Sequence, residues 1–383
     1  MKIYLVGGAV RDKLLKLPVS ERDWVVVGAS PQEMLDLGYK QVGKDFPVFL
    51  HPETKEEYAL ARTERKTGPG YTGFDFHAAA DVTLEEDLVR RDLTINAIAE
   101  STEGELIDPY GGQDDLAAGR LRHVSPAFSE DPVRVLRVAR FAARFGQYGF
   151  SVAHDTNALM RNMVADGEVN HLVPERVWAE LCKALATDTP EKFFTVLHGC
   201  NALTILFPEI AAAYESNSGA HKAQNLPAAL EALRDSAAKT NDTHIRFAVL
   251  LVSLQPDQTT EQRIATTEAL CKRFRIPGDY LKLAVSAIQL ERNITDNNPE
   301  ELLEAMESTR AFNDPTCWNR MLKTCTITHH IDSARAELLD TVKQKSSSVN
   351  AACLEDKSLK GPAVGAAIRE LRCRIIESIL LQQ

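Results

Sequence analysis

Residues 130–144, Glu130-Asp131-Pro132-Val133-Arg134-Val135-Leu136-Arg137-Val138-Ala139-Arg140-Phe141-Ala142-Ala143-Arg144, restrict the fold more than any other stretch of the chain. Positions three and four apart share one face of a helix. On that geometry Arg134, Arg137, Arg140 and Arg144 form a cationic stripe. Val135, Val138, Ala139 and Ala142 lie largely opposite, where they can enter a core. Glu130 and Asp131 stand in the first turn, with Pro132 where a helix start tolerates it. A solvated face is the ordinary fate of such a stripe. Here no acid follows along the same face, and guanidinium groups in a row suit a polyphosphate.

The N-terminus supplies a place for one. Residues 2–6 read as a short strand, Gly7-Gly8 as a turn and residues 9–15 as a helix. That order turns backbone N–H groups toward an anion, and Arg11 adds a charged contact one turn in. A lone Gly-Gly pair is usually only a turn. The next strand strengthens the reading, because Glu21 and Asp23 sit two residues apart at its start. Strand alternation puts both carboxylates on one side of the sheet. Close carboxylates repel unless a cation lies between them, which points to Mg²⁺ held with substrate phosphates. The bland alternative is a charged strand end in solvent.

The 383 residues, 44% of them hydrophobic, are enough for a large core and two or more domains. Strand patterns at 3–6, 24–27, 46–50, 57–62 and 93–99 alternate with helical patterns at 10–16, 32–37 and 84–90. From about residue 180 onward only helical periodicity remains, so an α/β head is followed by helices. No signal peptide is expected after Lys2, and no segment is apolar enough to span a membrane. The seven cysteines show no C-x-x-C spacing, which argues against a zinc site or disulfide framework and for a reducing cytoplasm. A net charge of −10 looks wrong for an RNA-binding protein, but RNA contact needs only a local basic path. Arg62, Arg65, Lys66, Arg90, Arg91 and the arginine stripe supply one.

Five motifs occur in order: Gly7-Gly8-Ala9-Val10-Arg11-Asp12, the Glu21-x-Asp23 pair, Arg90-Arg91-Asp92-Leu93-Thr94-Ile95-Asn96-Ala97, Asp108-Pro109-Tyr110-Gly111-Gly112 and Glu130-Asp131-Pro132-Val133-Arg134. With Pro174-Glu175-Arg176-Val177-Trp178, they make the chain resemble the class II tRNA nucleotidyltransferases, the CCA-adding enzymes, in their gamma-proteobacterial branch. The resemblance is dense over residues 1–210 and thin beyond. It implies a polymerase-β-like α/β nucleotidyltransferase head at 1–111, an all-α neck at 112–210, and a helical body and tail at 211–383 that contact tRNA. It also implies a reaction in which C, C and A are added to a tRNA 3′ end from CTP and ATP, by a monomer or homodimer.

In the family, residues matching Glu21 and Asp23 hold the metal ions. Gly8 and Arg11 would contact the triphosphate, and Arg91, oriented by Asp92, a phosphate or ribose. Asn96 would help at the sugar, and Arg137 and Arg140 would add nucleotide contacts, while Arg144 would reach solvent or the RNA backbone. Asp131 and Arg134 would read the base. Cytosine and adenine each offer an amino donor beside a ring-nitrogen acceptor, and guanine and uracil the reverse. A carboxylate only accepts and a guanidinium only donates, so the pair can take C and A and reject G and U. The plain alternative is an i,i+3 salt bridge. Glu175 and Arg176 are expected to brace this helix, residues 61–74 to form a loop that helps the site switch from C to A, and residues 108–112 to act as a hinge.

Two departures stand out. Relatives usually carry Asp at the position of Glu21, and Mg²⁺ geometry tolerates misplacement poorly. Many also carry a His-Asp metal pair where this chain has Val252-Ser253, so no phosphohydrolase activity is expected. A poly(A) polymerase shares the same head and is the nearest alternative, but it would use ATP almost exclusively. A catalytically decayed tRNA-binding protein is the alternative of another class.

Overall fold

The computed structural model describes all residues except 43–47, 67–73, 78–80, 217–225, 292 and 383. It divides into two compact units, residues 1–184 with 192–206, and residues 185–191 with 207–383. The first unit opens with β1 (Lys2–Val6), α1 (Gly8–Leu14), β2 (Asp23–Val27), α2 (Pro31–Asp36), β3 (Lys40–Val42), β4 (Val48–Leu50) and β5 (Glu57–Leu60). There follow β6 (Thr63–Lys66), β7 (Phe74–His77), α3 (Leu84–Val89), β8 (Ala99–Ser101), β9 (Leu106–Ile107) and α4 (Gly112–Ala117). Seven strands form one mixed sheet in the order β3-β4-β5-β2-β1-β8-β9.

The sheet buries both faces, and β2 shows why. Its run Trp24-Val25-Val26-Val27 alternates, sending Val25 into a cluster with Val6, Leu84 and Leu88. Val26 enters the opposite cluster with Met34, Phe49 and Leu60. Asp23 lies two residues before Val25 and therefore shares the face covered by α3. The register places Val6 opposite Asp23 across the antiparallel β1–β2 pair, so the Gly7-Gly8 turn begins beside that carboxylate. Across the parallel β2–β5 pair, Asp23 faces Glu57.

Three expectations about strands change. Glu21 precedes β2 instead of opening it. The segment 93–99 is not a continuous strand: Thr94–Asn96 is a 3₁₀ turn and β8 starts at Ala99. The cause is local, since the Asp92 carboxylate accepts the Leu93 N–H at 2.9 Å and the Asn96 amide at 2.9 Å, which curls the chain. The strand expected over 57–62 stops at Leu60, and β6 pairs with β7 as a separate hairpin. The tip of the expected switching loop, 67–73, and residues 46–47 of the third expected strand lie outside the described residues.

Residues 108–112 cap a helix. Asp108 accepts the N–H groups of Gly112 at 2.7 Å and Gln113 at 2.8 Å, at the start of α4. Gly112 lies so close to the 3₁₀ turn that a Cβ would stand 2.3 Å from the Thr94 carbonyl oxygen. Three further helices complete this unit's functional half: α5 (Val133–Phe145), α6 (His154–Ala165) and α7 (Pro174–Leu185). On α5, Val135, Leu136, Val138, Ala139 and Ala142 are buried.

Only helices, apart from short turns, are described in the second unit, from Pro208–Ser216 to Pro362–Leu380. Arg246 is buried there, donating to the carbonyls of Leu185, Thr187, Ala237 and Thr240. Val252 is buried in the same helix and Ser253 ends it. No helix among the described residues is long and apolar enough to cross a membrane.

Replacing Gly112 with Ala should cost about 1–3 kcal/mol, because the clash is with backbone and the 3₁₀ turn must shift. Urea unfolding of the variant checks this, and an unchanged midpoint would contradict the packing described.

Candidate active site

One cleft of about 670 Å³ gathers nearly every residue singled out from the sequence. Glu21 and Asp23 stand on one wall, the Gly7-Gly8 turn and Arg11 on another, and α5 presents Arg134, Arg137, Arg140 and Arg144. Among the described residues, nine arginines and Lys183 line it against four carboxylates. A chain of net charge −10 thus concentrates positive potential at one place.

Gly7 turns the chain at φ 69° and ψ −128°, a conformation that side chains avoid. A Cβ at Gly7 would also come within 2.8 Å of Arg91 Nη1. Desolvation in the cleft raises the Asp23 carboxyl above its ordinary range, with Arg91 opposing and Glu21 adding to the rise. Glu57, in register with Asp23, shares a recess with it and was missed from the sequence. Only sheet register brings it beside Asp23, because β3 and β4 separate β2 from β5 in the sequence.

The arginine stripe is not the unneutralised face expected. Its acids come from other elements. Arg137 Nε donates to Asp92 at 2.6 Å, Arg144 Nη2 to Asp12 at 2.8 Å, and Arg140 Nε to Glu180 of α7. Arg144 is therefore an internal partner and not a solvent or RNA-facing group alone. Arg11 is buried beside Asp12, Nε to Oδ1 at 2.8 Å, and donates also to Asn96 Oδ1. Burial holds the Arg11 guanidinium below the usual arginine range; Asp12 opposes this and Arg144 adds to it.

Asp92 does not orient Arg91. Arg91 Nη2 bonds Asp87 at 3.2 Å, and Asp87, fully buried, also holds Arg90 at 2.7 Å. Asp92 serves Arg137 and Asn96 instead. Burial pushes its carboxyl up, but Arg137, the Asn96 amide and Arg134 outweigh that and hold it well below the ordinary range. At the other end of the cleft, Asp131 accepts the Val133 N–H at 3.0 Å and Arg176 Nη2 at 3.1 Å. Arg134 is buried and donates to the carbonyls of Ala127 at 3.1 Å and Arg90 at 2.6 Å. The bracing expected of Arg176 is thus a direct contact with Asp131. Asp12, Asp87 and Glu180 were not singled out as partners, and nothing in their own segments marks them.

A family model described as "Poly A polymerase head domain" matches residues 3–122. Another, "Probable RNA and SrmB- binding site of polymerase A", matches residues 149–214. The chain is 48% identical to the "Multifunctional CCA protein" of Thioalkalivibrio sulfidiphilus, over 99% of this chain and 98% of the relative. It is also 48% identical to the "CCA-adding enzyme" of Coxiella burnetii, over 99% of this chain and 96% of the relative. The chain belongs to the CCA-adding enzyme family.

Solved structures of CCA-adding enzymes share the fold. That of Bacillus stearothermophilus, in complex with CTP, gives a TM-score of 0.67 at 21% identity, covering 98% of this chain and 89% of that one. The Thermotoga maritima CCA-adding enzyme complexed with tRNA-CCA gives 0.62 at 19% identity, covering 100% and 91%. Family membership accounts for the order of the five motifs, and the cleft shows what they build in this CCA-adding chain: one basin where the α/β sheet meets α5 and α7.

The depressed Asp92 carboxyl gives a signed prediction. Its contribution to stability is complete above the unfolded value of about 4 and is lost as pH falls through the lower folded value. Denaturant unfolding between about pH 4 and pH 2 should show the wild type losing stability more steeply than Asp92→Asn. Parallel slopes would contradict the ion pair.

Proposed function

We propose that this cleft binds one nucleoside triphosphate at a time and is where C, C and A are added to the 3′ end of tRNA from CTP and ATP. No nucleic-acid template is used and pyrophosphate is released. The observation that carries the reading is the joining of two carboxylates to a basin of nine arginines, with Asp131 and Arg134 at one end. The head is taken as residues 1–111, the neck with its nucleotide-selecting helix as 112–210, and the tRNA-contacting body and tail as 211–383. The setting is the cytoplasm.

Glu21 and Asp23 offer only hard carboxylate oxygens beside a phosphate-seeking wall, the donor chemistry that Mg²⁺ prefers. The raised Asp23 carboxyl, disfavoured by desolvation and by Glu21, is relieved by a cation there. Mg²⁺, when bound, supplies Lewis-acid stabilisation of the charge that develops on phosphate oxygens.

Arg11, Arg91, Arg137 and Arg140, with the Gly8 backbone, hold the phosphates and sugar. The tRNA 3′-hydroxyl oxygen bonds to the α-phosphorus, the bond from the α-phosphorus to the bridging oxygen breaks, pyrophosphate leaves with that oxygen, and the hydroxyl proton passes to solvent. Asp131 is fixed by Arg176 and the Val133 N–H, and keeps lone-pair capacity to accept an amino group from C or A. Arg134 is held by two carbonyls and donates to the ring nitrogen. Guanine or uracil would set donor against guanidinium and acceptor against carboxylate, leaving buried charge unpaired.

Incorporation of labelled CTP into a tRNA transcript lacking its 3′ CCA tests this. Asp23→Ala should lower the rate by about a thousandfold or more while the chain stays folded. Arg134→Ala should raise misincorporation of U and G relative to C, with the metal requirement unchanged. Normal extension by Asp23→Ala would sink the carboxylate assignment, and unchanged base choice in Arg134→Ala would sink the selection mechanism.

A further inference from the structure

The guanidinium groups of the cleft have partners besides carboxylates. Arg11, Arg137, Arg140 and Arg144 share three acids: Asp12, Asp92 and Glu180. All four also lie over two aromatic rings of α5. Phe141 and Phe145 are one turn apart, nearly parallel at 5°, with centroids 6.0 Å apart. Arg140 sits 4.2 Å from the Phe141 centroid, Arg11 5.3 Å and Arg137 5.7 Å. Arg11 is also 4.9 Å from the Phe145 centroid, and Arg144 5.2 Å. Each distance falls within the reach of a cation–π attraction.

A carboxylate and a ring face do different things for such a cluster. A carboxylate neutralises a guanidinium and competes with phosphate for it. A ring face offers partial negative charge, screens repulsion between neighbouring cations and removes no formal charge. Phe141 also lines the cleft itself, whereas Phe145 is fully buried beneath it.

We propose that Phe141 and Phe145 form an aromatic ledge that positions Arg11, Arg137, Arg140 and Arg144 and keeps their charge available to the triphosphate. The phenylalanines are positioning residues: they touch the arginines, of which Arg11, Arg137 and Arg140 touch the substrate while Arg144 braces Asp12. The proposal rests on the reading that this cleft takes a nucleoside triphosphate.

The test grades the ring's electrostatics with little change in its shape. Phe141 is replaced in the full chain by 4-fluoro-, 3,5-difluoro- and pentafluorophenylalanine, and Phe141→Leu serves as the limit without a ring. The readouts are KM and kcat for CTP on tRNA lacking CCA, and the Kd of inorganic tripolyphosphate by calorimetry. KM and Kd should rise together with fluorination, reaching about fivefold to tenfold in the pentafluoro variant, with kcat changed less than about twofold. Equal KM and Kd across the fluorinated series would overturn the ledge, since a space-filling role is insensitive to the ring's charge distribution. The two readings fail separately. A wild type that binds tripolyphosphate but transfers no CMP contradicts the proposed function, while the calorimetric series still tests the ledge.

Discussion

The site depends on a relay of ion pairs and hydrogen bonds that is buried at its centre and exposed at its two ends. From Arg144 it passes through Asp12 to Arg11, through Asn96 to Asp92, and out to Arg137. The relay joins three segments distant in sequence: α1, the 3₁₀ turn and α5. Removing the Asp12 carboxylate would leave the buried Arg11 guanidinium without its ion-pair partner, the costly way to break such a pair. Such a network adds little net stability compared with a well-packed apolar core. What it fixes is position, because each side chain has one arrangement that satisfies its partners.

That constraint explains why the catalytic head and α5 act as one object. The Gly7-Gly8 turn leaves β1 beside Asp23, and α1 carries Arg11 and Asp12 directly into the relay. Gly112 lets α4 press against the Thr94 carbonyl, which backs the turn holding Asp92 and Asn96. On α5, one face is buried core and the other is a row of guanidinium groups over two rings. The helix is at once a structural strut and the phosphate-facing wall. α7 closes the arrangement, with Arg176 on Asp131 and Glu180 on Arg140.

Much of this was legible in the residues. The amphipathic period of 130–144 predicts α5 and its stripe, and the apolar runs predict β1, β2 and β4 nearly where they stand. The roles of Asp131 and Arg134 rest on family resemblance, and the cleft holds both residues. What local pattern could not supply was pairing. Asp12 lies 132 residues from Arg144 and Glu180 lies 40 from Arg140, so only the tertiary fold brings them together. The strand expected at 93–99 failed for a related reason. Its apolar residues suit a strand, but the Asp92 side chain competes for the backbone and wins. The carboxylate partner of Asp23 on the neighbouring strand, Glu57, needed sheet register to be seen.

The central claim is that protein side chains choose the nucleotide, in a cleft whose charges are already arranged. It is tested most directly by offering the wild-type protein all four nucleoside triphosphates at equal concentration, with Mg²⁺ and a tRNA transcript lacking its 3′ CCA, and sequencing the products. The account predicts C, C, A and then a stop, with G and U essentially absent. Products carrying G or U at these positions, or runs of A beyond the third nucleotide, would contradict it.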